Sequence, residues 1–100
     1  MSTPLSANQK RYLRGLAHSL KPVILMGGKG LTDALMAELE LALEQHELVK
    51  VRLAADARAT REELVATLVE RSGAQLVQRI GHVACLYRRH PDAALIALPR

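Results

Sequence analysis

Phenylalanine and tryptophan are absent from this 100-residue chain, and Tyr12 and Tyr87 are its only aromatic residues. That lack excludes a platform on which bases stack over aromatic rings. It also obliges leucine, valine, isoleucine and alanine to supply nearly all of the apolar core. The single cysteine, Cys85, has no partner for an internal disulfide, and its apolar neighbours mark it as a packed core residue. No apolar run approaches the roughly 18 residues that a membrane span needs. The start, Met1-Ser2-Thr3-Pro4, lacks a basic segment followed by an apolar one. The expectation is one soluble domain over residues 1–100, in a reducing cytoplasm and away from membranes. With 49% hydrophobic residues, a chain of this length can fold without disulfide or metal staples.

Acidic charge is missing from the first 32 residues, and this is the most informative gap. The formal net charge is +4 and the sequence pI about 9.7, which favours anionic partners without naming one. Through Gly30 the chain carries Lys10, Arg11, Arg14, Lys21 and Lys29 against no carboxylate. The stretch after it holds Asp33, Glu38, Glu40 and Glu44. A basic face is expected. Ordinary solvated faces mix both signs, so the missing counter-charges argue against a merely wet surface.

Ser6 with Gln9 three residues later is a capping-box pattern, and the helix it opens must stop before Pro22. On that helix Leu13, Leu16, Ala17 and Leu20 share one face, whereas Lys10, Arg11, Arg14 and His18 share another. Val23-Ile24-Leu25-Met26, bounded by Pro22 and Gly27, reads as a short buried strand. Thr32 is placed to cap a second helix whose Leu35, Leu39, Ala42, Leu43 and His46 recur at helical spacing on its inner or boundary face. At Leu48 the period changes to two. Val49, Val51 and Leu53 point one way and Lys50 and Arg52 the other, as in a sheet covered on one face. Thr60 with Glu63 predicts another cap, and Gly73 a left-handed helix end. Residues 75–80 and 83–88 read as strands joined by a type II′ turn at Gly81-His82. Residues 95–98 read as either an edge strand or a packed tail. The fold class expected is two-layer α/β, in the order α-β-α-β-α-β-β, with helices on a four-stranded mixed sheet.

Gly27-Gly28-Lys29-Gly30 lies between the first strand and the second helix. A bare G-x-x-G match arises about 0.5 times per hundred residues by chance, so the spacing alone decides nothing. Its context is stronger: a strand-to-helix junction, a third glycine, a lysine, and a cationic helix just upstream. Backbone N–H groups in such a loop, at a helix N-terminus, can hold a phosphate. Asp33 in the first helical turn competes with that anion for the dipole. Placed in a left-handed conformation, Gly27 would resist replacement by valine.

Other chemistries fit less well. The glycines do not make G-x-x-x-x-G-K-[ST], nor the G-x-G-x-x-G of dinucleotide sites. His18, His46, His82, His90 and Cys85 lack the paired spacing of zinc ligands. No nucleophile has an identifiable base and orienter. The pattern points away from catalysis, and no cofactor, metal or small-molecule substrate is expected. Backbone and shape recognition by a glycine loop and flanking cations fits structured RNA better than major-groove reading of DNA. A protein-interaction module that docks an acidic partner on the basic helix is the alternative from another class.

Several motifs in register then carry a resemblance: Gln9-Lys10, Leu13-Arg14-Gly15-Leu16-Ala17-His18, Leu20-Lys21-Pro22-Val23, Gly27-Gly28-Lys29-Gly30-Leu31-Thr32 and Glu44-Gln45-His46-Glu47-Leu48-Val49-Lys50-Val51. Together they resemble the CRM domain, the chloroplast RNA splicing and ribosome maturation module. The whole chain, through Leu98-Pro99-Arg100, is similar to its bacterial stand-alone YhbY members. The resemblance implies a fold similar to the C-terminal domain of translation initiation factor three. It also implies RNA binding through Gly27, Gly28, Lys29 and Gly30 with Lys10, Arg11 and Arg14, Lys21 joining by proximity. For bacterial members it implies association with ribosomal RNA in large-subunit precursors. His18 matches the pattern, as an RNA contact or as a helix cap. Lys50 and Arg52 are secondary candidates.

Overall fold

A computed structural model describes residues 4–27, 31–54, 58–90 and 95–99, with the side chains of Arg58 and Ala59 left aside. Seven elements follow in the expected order: α1 (Ala7–His18), β1 (Ile24–Leu25), α2 (Asp33–His46), β2 (Leu48–Arg52), α3 (Arg58–Ser72), β3 (Gln75–Ile80) and β4 (Val83–Tyr87). The sheet is mixed, with strand order β1-β2-β4-β3. β1 runs parallel to β2 and the other pairs are antiparallel. The β3/β4 pair carries a register shift between Leu76 and Gln78.

The caps explain the first two helices. Ser6 accepts from the Gln9 amide while the Gln9 side chain accepts from the Ser6 amide, so two otherwise orphaned donors at the start of α1 are satisfied. Thr32 accepts from Leu35 N–H at 3.1 Å and opens α2. The third start differs from expectation. α3 begins at Arg58, so Thr60 lies inside the helix and caps nothing. Gly73 ends α3 at φ +73°, and Gly81 has φ +57° while His82 stays at negative φ, the pairing a type II′ turn requires.

Helices lie on both faces of the sheet, so the layer count rises from two to three. On one side α2 and α3 pack Leu35, Leu39, Leu43, Val65 and Leu68 against Val49, Val51, Ala84 and Leu86. On the other, Leu13 and Ala17 of α1 pack against Leu48, Val77, Cys85 and Tyr87. β4 makes this possible because apolar residues occupy both of its alternating faces, the pattern of a strand buried on each side.

Three local expectations need correction. The strand over 23–26 is not buried throughout: β1 is an edge strand of two residues, with Ile24 and Met26 covered and Val23 and Leu25 exposed. It has β2 on one side only, and α1 does not reach over it. Leu20 is 40% exposed because the helix has already ended at His18. His46 is exposed, since α2 stops there and His46 lines a groove rather than the core.

The C-terminal segment is a packed tail, held by a residue the sequence did not flag. Glu47 is fully buried and sits at φ 61°, outside the region usual for non-glycine residues. Its carboxylate accepts from His90 N–H (2.6 Å), Leu95 N–H (2.9 Å) and Ile96 N–H (2.7 Å). Three donors satisfy a charge that burial would otherwise penalise heavily. Ile96 and Leu98 are thereby seated against the α1 side of the core.

Replacing Glu47 by Gln puts an amide N–H where a backbone N–H now donates. We expect a loss of about 1–3 kcal/mol in urea unfolding and faster amide exchange at Leu95 and Ile96; an unchanged midpoint and unchanged exchange would contradict this anchoring. The second core cluster also predicts a pH dependence. Burial pushes the Cys85 thiol above its ordinary value of 9.0, against a smaller lowering by Lys50, and burial raises Tyr87 as well, with Glu47 adding to the rise and Arg89 opposing it. Unfolding therefore lets both groups ionise more easily. Stability should be full below about pH 9 and fall above it. Denaturant midpoints between pH 7 and 10.5 check the sign, and Cys85→Ala should flatten the first part of the decline.

Candidate nucleic-acid interface

Charge is sorted between the two faces. On the α2/α3 side three arginines meet carboxylates: Arg88 with Glu40 at 2.7 Å, Arg71 with Asp33 at 3.4 Å and Arg79 with Glu62 at 3.7 Å. Arg88 also donates to the Ser72 carbonyl at 2.8 Å and makes the shortest of the three ion pairs. The Arg71–Asp33 pair is exposed and adds little to stability. It does place a cation beside the acidic first turn of α2, easing the competition that Asp33 offers an anion.

The α1 side has a different balance. Arg11, Arg14 and His18 are exposed along the helix and Lys10 is half-buried. No acidic residue opens α1, and His18 lies in its last turn. Among the described residues, no hydrogen bond or ion pair engages the side chains of Lys10, Arg11, Arg14, Lys21 or Arg52. Tyr12 is 42% exposed on the same helix, a single ring rather than a stacking surface.

β2 adds the secondary pair to this side. Its valines face α2 and α3, so the alternation turns Lys50 and Arg52 toward the α1 face. α1 covers Leu48 and leaves Arg52 exposed. Lys50 reaches back to donate its Nζ to the Leu20 carbonyl at 2.9 Å, which ties β2 to the segment leaving α1. Val23 N–H to Lys50 O (3.1 Å) and Met26 N–H to Arg52 O (2.9 Å) continue the same seam along β1. The fold thus brings Lys21, Lys50 and Arg52 to one strip that leads from the end of α1 toward Gly27.

Gly27 is exposed at the end of that strip. Its φ is not in the left-handed range, and a Cβ there would meet nothing within 4 Å. The conformational argument against valine at Gly27 therefore does not hold. Gly28, Lys29 and Gly30 lie outside the described residues. Leu31, partly buried, and Thr32, capping α2, fix the far side of the loop to the core.

Two residues that shape this side of the molecule were not read from the sequence. Glu47 gave one signal, an acidic residue at a helix C-terminus, where the dipole disfavours it. Ile96 is the other: it joins Leu16, Leu20, Val23 and His46 around a groove beside Lys21 and Lys50. Among the described residues no cluster of three or more His, Cys, Asp or Glu side chains could hold a metal. No helix of the described residues is long and apolar enough to cross a membrane.

A mixed four-stranded sheet with a glycine-rich β1–α2 junction and a cationic α1 defines the class. The family model of the CRS1 / YhbY (CRM) domain matches residues 5–88, and the chain belongs to that family. It is 47% identical over 98 residues to a Haemophilus influenzae protein named RNA-binding protein, covering 98% of each chain. It is 36% identical over 95 residues to a Bacillus subtilis protein named probable RNA-binding protein YqeI, covering 95% of this chain and 99% of that one. Its fold is similar to the solution structure of a hypothetical Staphylococcus aureus protein described as a candidate RNA binder. That match has a TM-score of 0.83 and 35% identity and covers 96% of this chain and 100% of the other.

Proposed function

We propose that this protein binds RNA through its α1 face, without catalysing a reaction, and that its target is ribosomal RNA in precursors of the large subunit. The observation that carries the reading is the set of cations that, among the described residues, have no carboxylate partner on one side of the molecule. Lys10, Arg11, Arg14 and Lys21 are held by a capped helix and its exit, and Lys50 and Arg52 by the strand beside them. Membership of the CRM family and the names of the relatives support RNA as the anion. The ribosomal target rests on the resemblance to the stand-alone bacterial members. Such a partner places the protein in the cytoplasm.

In this reading phosphate oxygens lie along α1 and the seam to Gly27. The Gly27–Gly30 loop contributes main-chain donors and Lys29, and His18 completes the helix end. Neutralising closely spaced phosphates lets RNA segments approach one another during assembly. With few aromatics, recognition follows the shape of the RNA backbone.

About five phosphate contacts give a slope of roughly −3.5 to −4.5 for log affinity against log salt on duplex-like RNA. A flat salt response in filter-binding or anisotropy titrations would contradict the reading. Lys29→Ala should weaken binding to all RNA sequences alike and make the slope shallower by about 1. Equal affinity of that variant and the wild type would remove the loop lysine from the interface. Arg11→Glu with Arg14→Glu should abolish co-sedimentation with large-subunit precursors while leaving the thermal midpoint nearly unchanged, because both side chains are exposed. Association that survives this double reversal, or that purified acidic protein but not RNA competes away, would favour a protein-docking module instead.

A further inference from the structure

Between the ends of α1 and α2 the surface opens into a groove of about 440 Å³, within the size range of sites for small ligands. Its walls are aliphatic: Leu16 from α1, Leu20 and Val23 from the segment that leads to β1, and Ile96 from the tail. Leu20 and Val23 are 40% and 56% exposed, so apolar surface faces water there. The rim is polar and carries one sign of charge, from Lys21 and Lys50, with His46 and Ser19 alongside. No carboxylate is among the described residues that line it. Lys50 is fixed in place by its bond to the Leu20 carbonyl, which leaves two of its three ammonium donors for a ligand.

We propose that this groove takes one unpaired RNA base, turned out of the helical stack, with the adjoining phosphate held by Lys21 and Lys50. The proposal rests on the RNA-binding reading above and adds which RNA is preferred: one with a bulge or loop rather than an uninterrupted duplex. A flat ring needs two apolar walls and a polar edge. Leu16, Leu20, Val23 and Ile96 line the groove in the role that aromatic rings would otherwise fill, and His46 and Ser19 offer polar groups to ring nitrogens and carbonyls. The phosphate that follows the base demands a nearby cation, and two are present. The groove is also continuous with the cationic strip through Lys21, so a strand tracking along α1 arrives at it. Single-stranded positions in structured RNA are where unstacked bases are available at low cost.

The test uses a short RNA duplex carrying a single 2-aminopurine bulge and a fully paired duplex of the same length. Wild-type protein should bind the bulged RNA about tenfold more tightly and change the fluorophore's emission as the base leaves water. Val23→Trp fills the groove from its exposed rim and should reduce the bulged RNA to the affinity of the paired one, with paired-duplex binding unchanged. Leu20→Ser, which removes one aliphatic wall at an exposed position without adding charge, is a second variant and should have the same effect. Equal wild-type affinity for the two RNAs, or a preference that survives both substitutions, overturns the groove proposal while leaving the cationic face intact. Failure to bind either RNA overturns the RNA-binding reading and the groove with it.

Discussion

The two-residue period of β2 is the constraint from which the surface follows. A strand buried against α2 and α3 through Val49 and Val51 must turn Lys50 and Arg52 to the opposite side. That side is only partly roofed, because α1 packs over Leu48, Cys85 and Tyr87 and stops at His18. A one-residue slip in register would bury two cations against leucines and expose the valines. The alternation therefore fixes both the core and the position of the charges. Asp33, Glu40 and Glu62 of α2 and α3 meet arginines on the far face, whereas among the described residues the cations of α1 have no such partner. The field of such cations steers anions toward the molecule from a distance, and salt weakens it.

The junction between α2 and β2 is the second fixed point. Glu47 occupies a conformation that costs roughly 1–3 kcal/mol for a non-glycine residue, and its carboxylate is fully buried. Hydrogen bonds from His90, Leu95 and Ile96 offset both costs and draw the tail across the end of the sheet. Its main chain is part of the same arrangement, since Arg88 N–H donates to the Glu47 carbonyl at 2.9 Å. One wall of the groove, Ile96, is thus positioned by a side chain that lies inside the core.

Much of the fold was legible because its signals are local. Ser6 with Gln9, Thr32, Gly73 and Gly81 each satisfy a backbone requirement within a few residues, and each sits where that requirement predicts. The alternation after Leu48 was legible for the same reason. What failed was non-local. Thr60 looked like a cap, yet helical structure already begins at Arg58. The exposure of Val23 and Leu25 depends on β1 having one neighbour, which periodicity cannot reveal. The division of helices between two faces depends on which side each crossover takes. Residues 95–98 could be placed only once Glu47 was known to be inside. For the site, clustering of Lys10, Arg11 and Arg14 was evident from helical spacing. The joining of Lys21, Lys50 and Arg52 into one strip required the parallel pairing of β1 with β2.

RNA recognition with few aromatic side chains has to depend on charge placement. Here Lys10, Arg11, Arg14, Lys21 and Arg52 lie on the side of the sheet that α1 occupies, along a path from the capped helix through Lys21. Chemical-shift mapping of the isotopically labelled protein titrated with structured RNA tests this most directly. The account predicts that amide and side-chain shifts concentrate at Lys10, Arg11, Arg14, Lys21, Arg52 and the 27–30 loop, with Arg71, Arg79 and Arg88 unmoved. Shifts centred on the arginines of the α2/α3 face, with the α1 face silent, would contradict it.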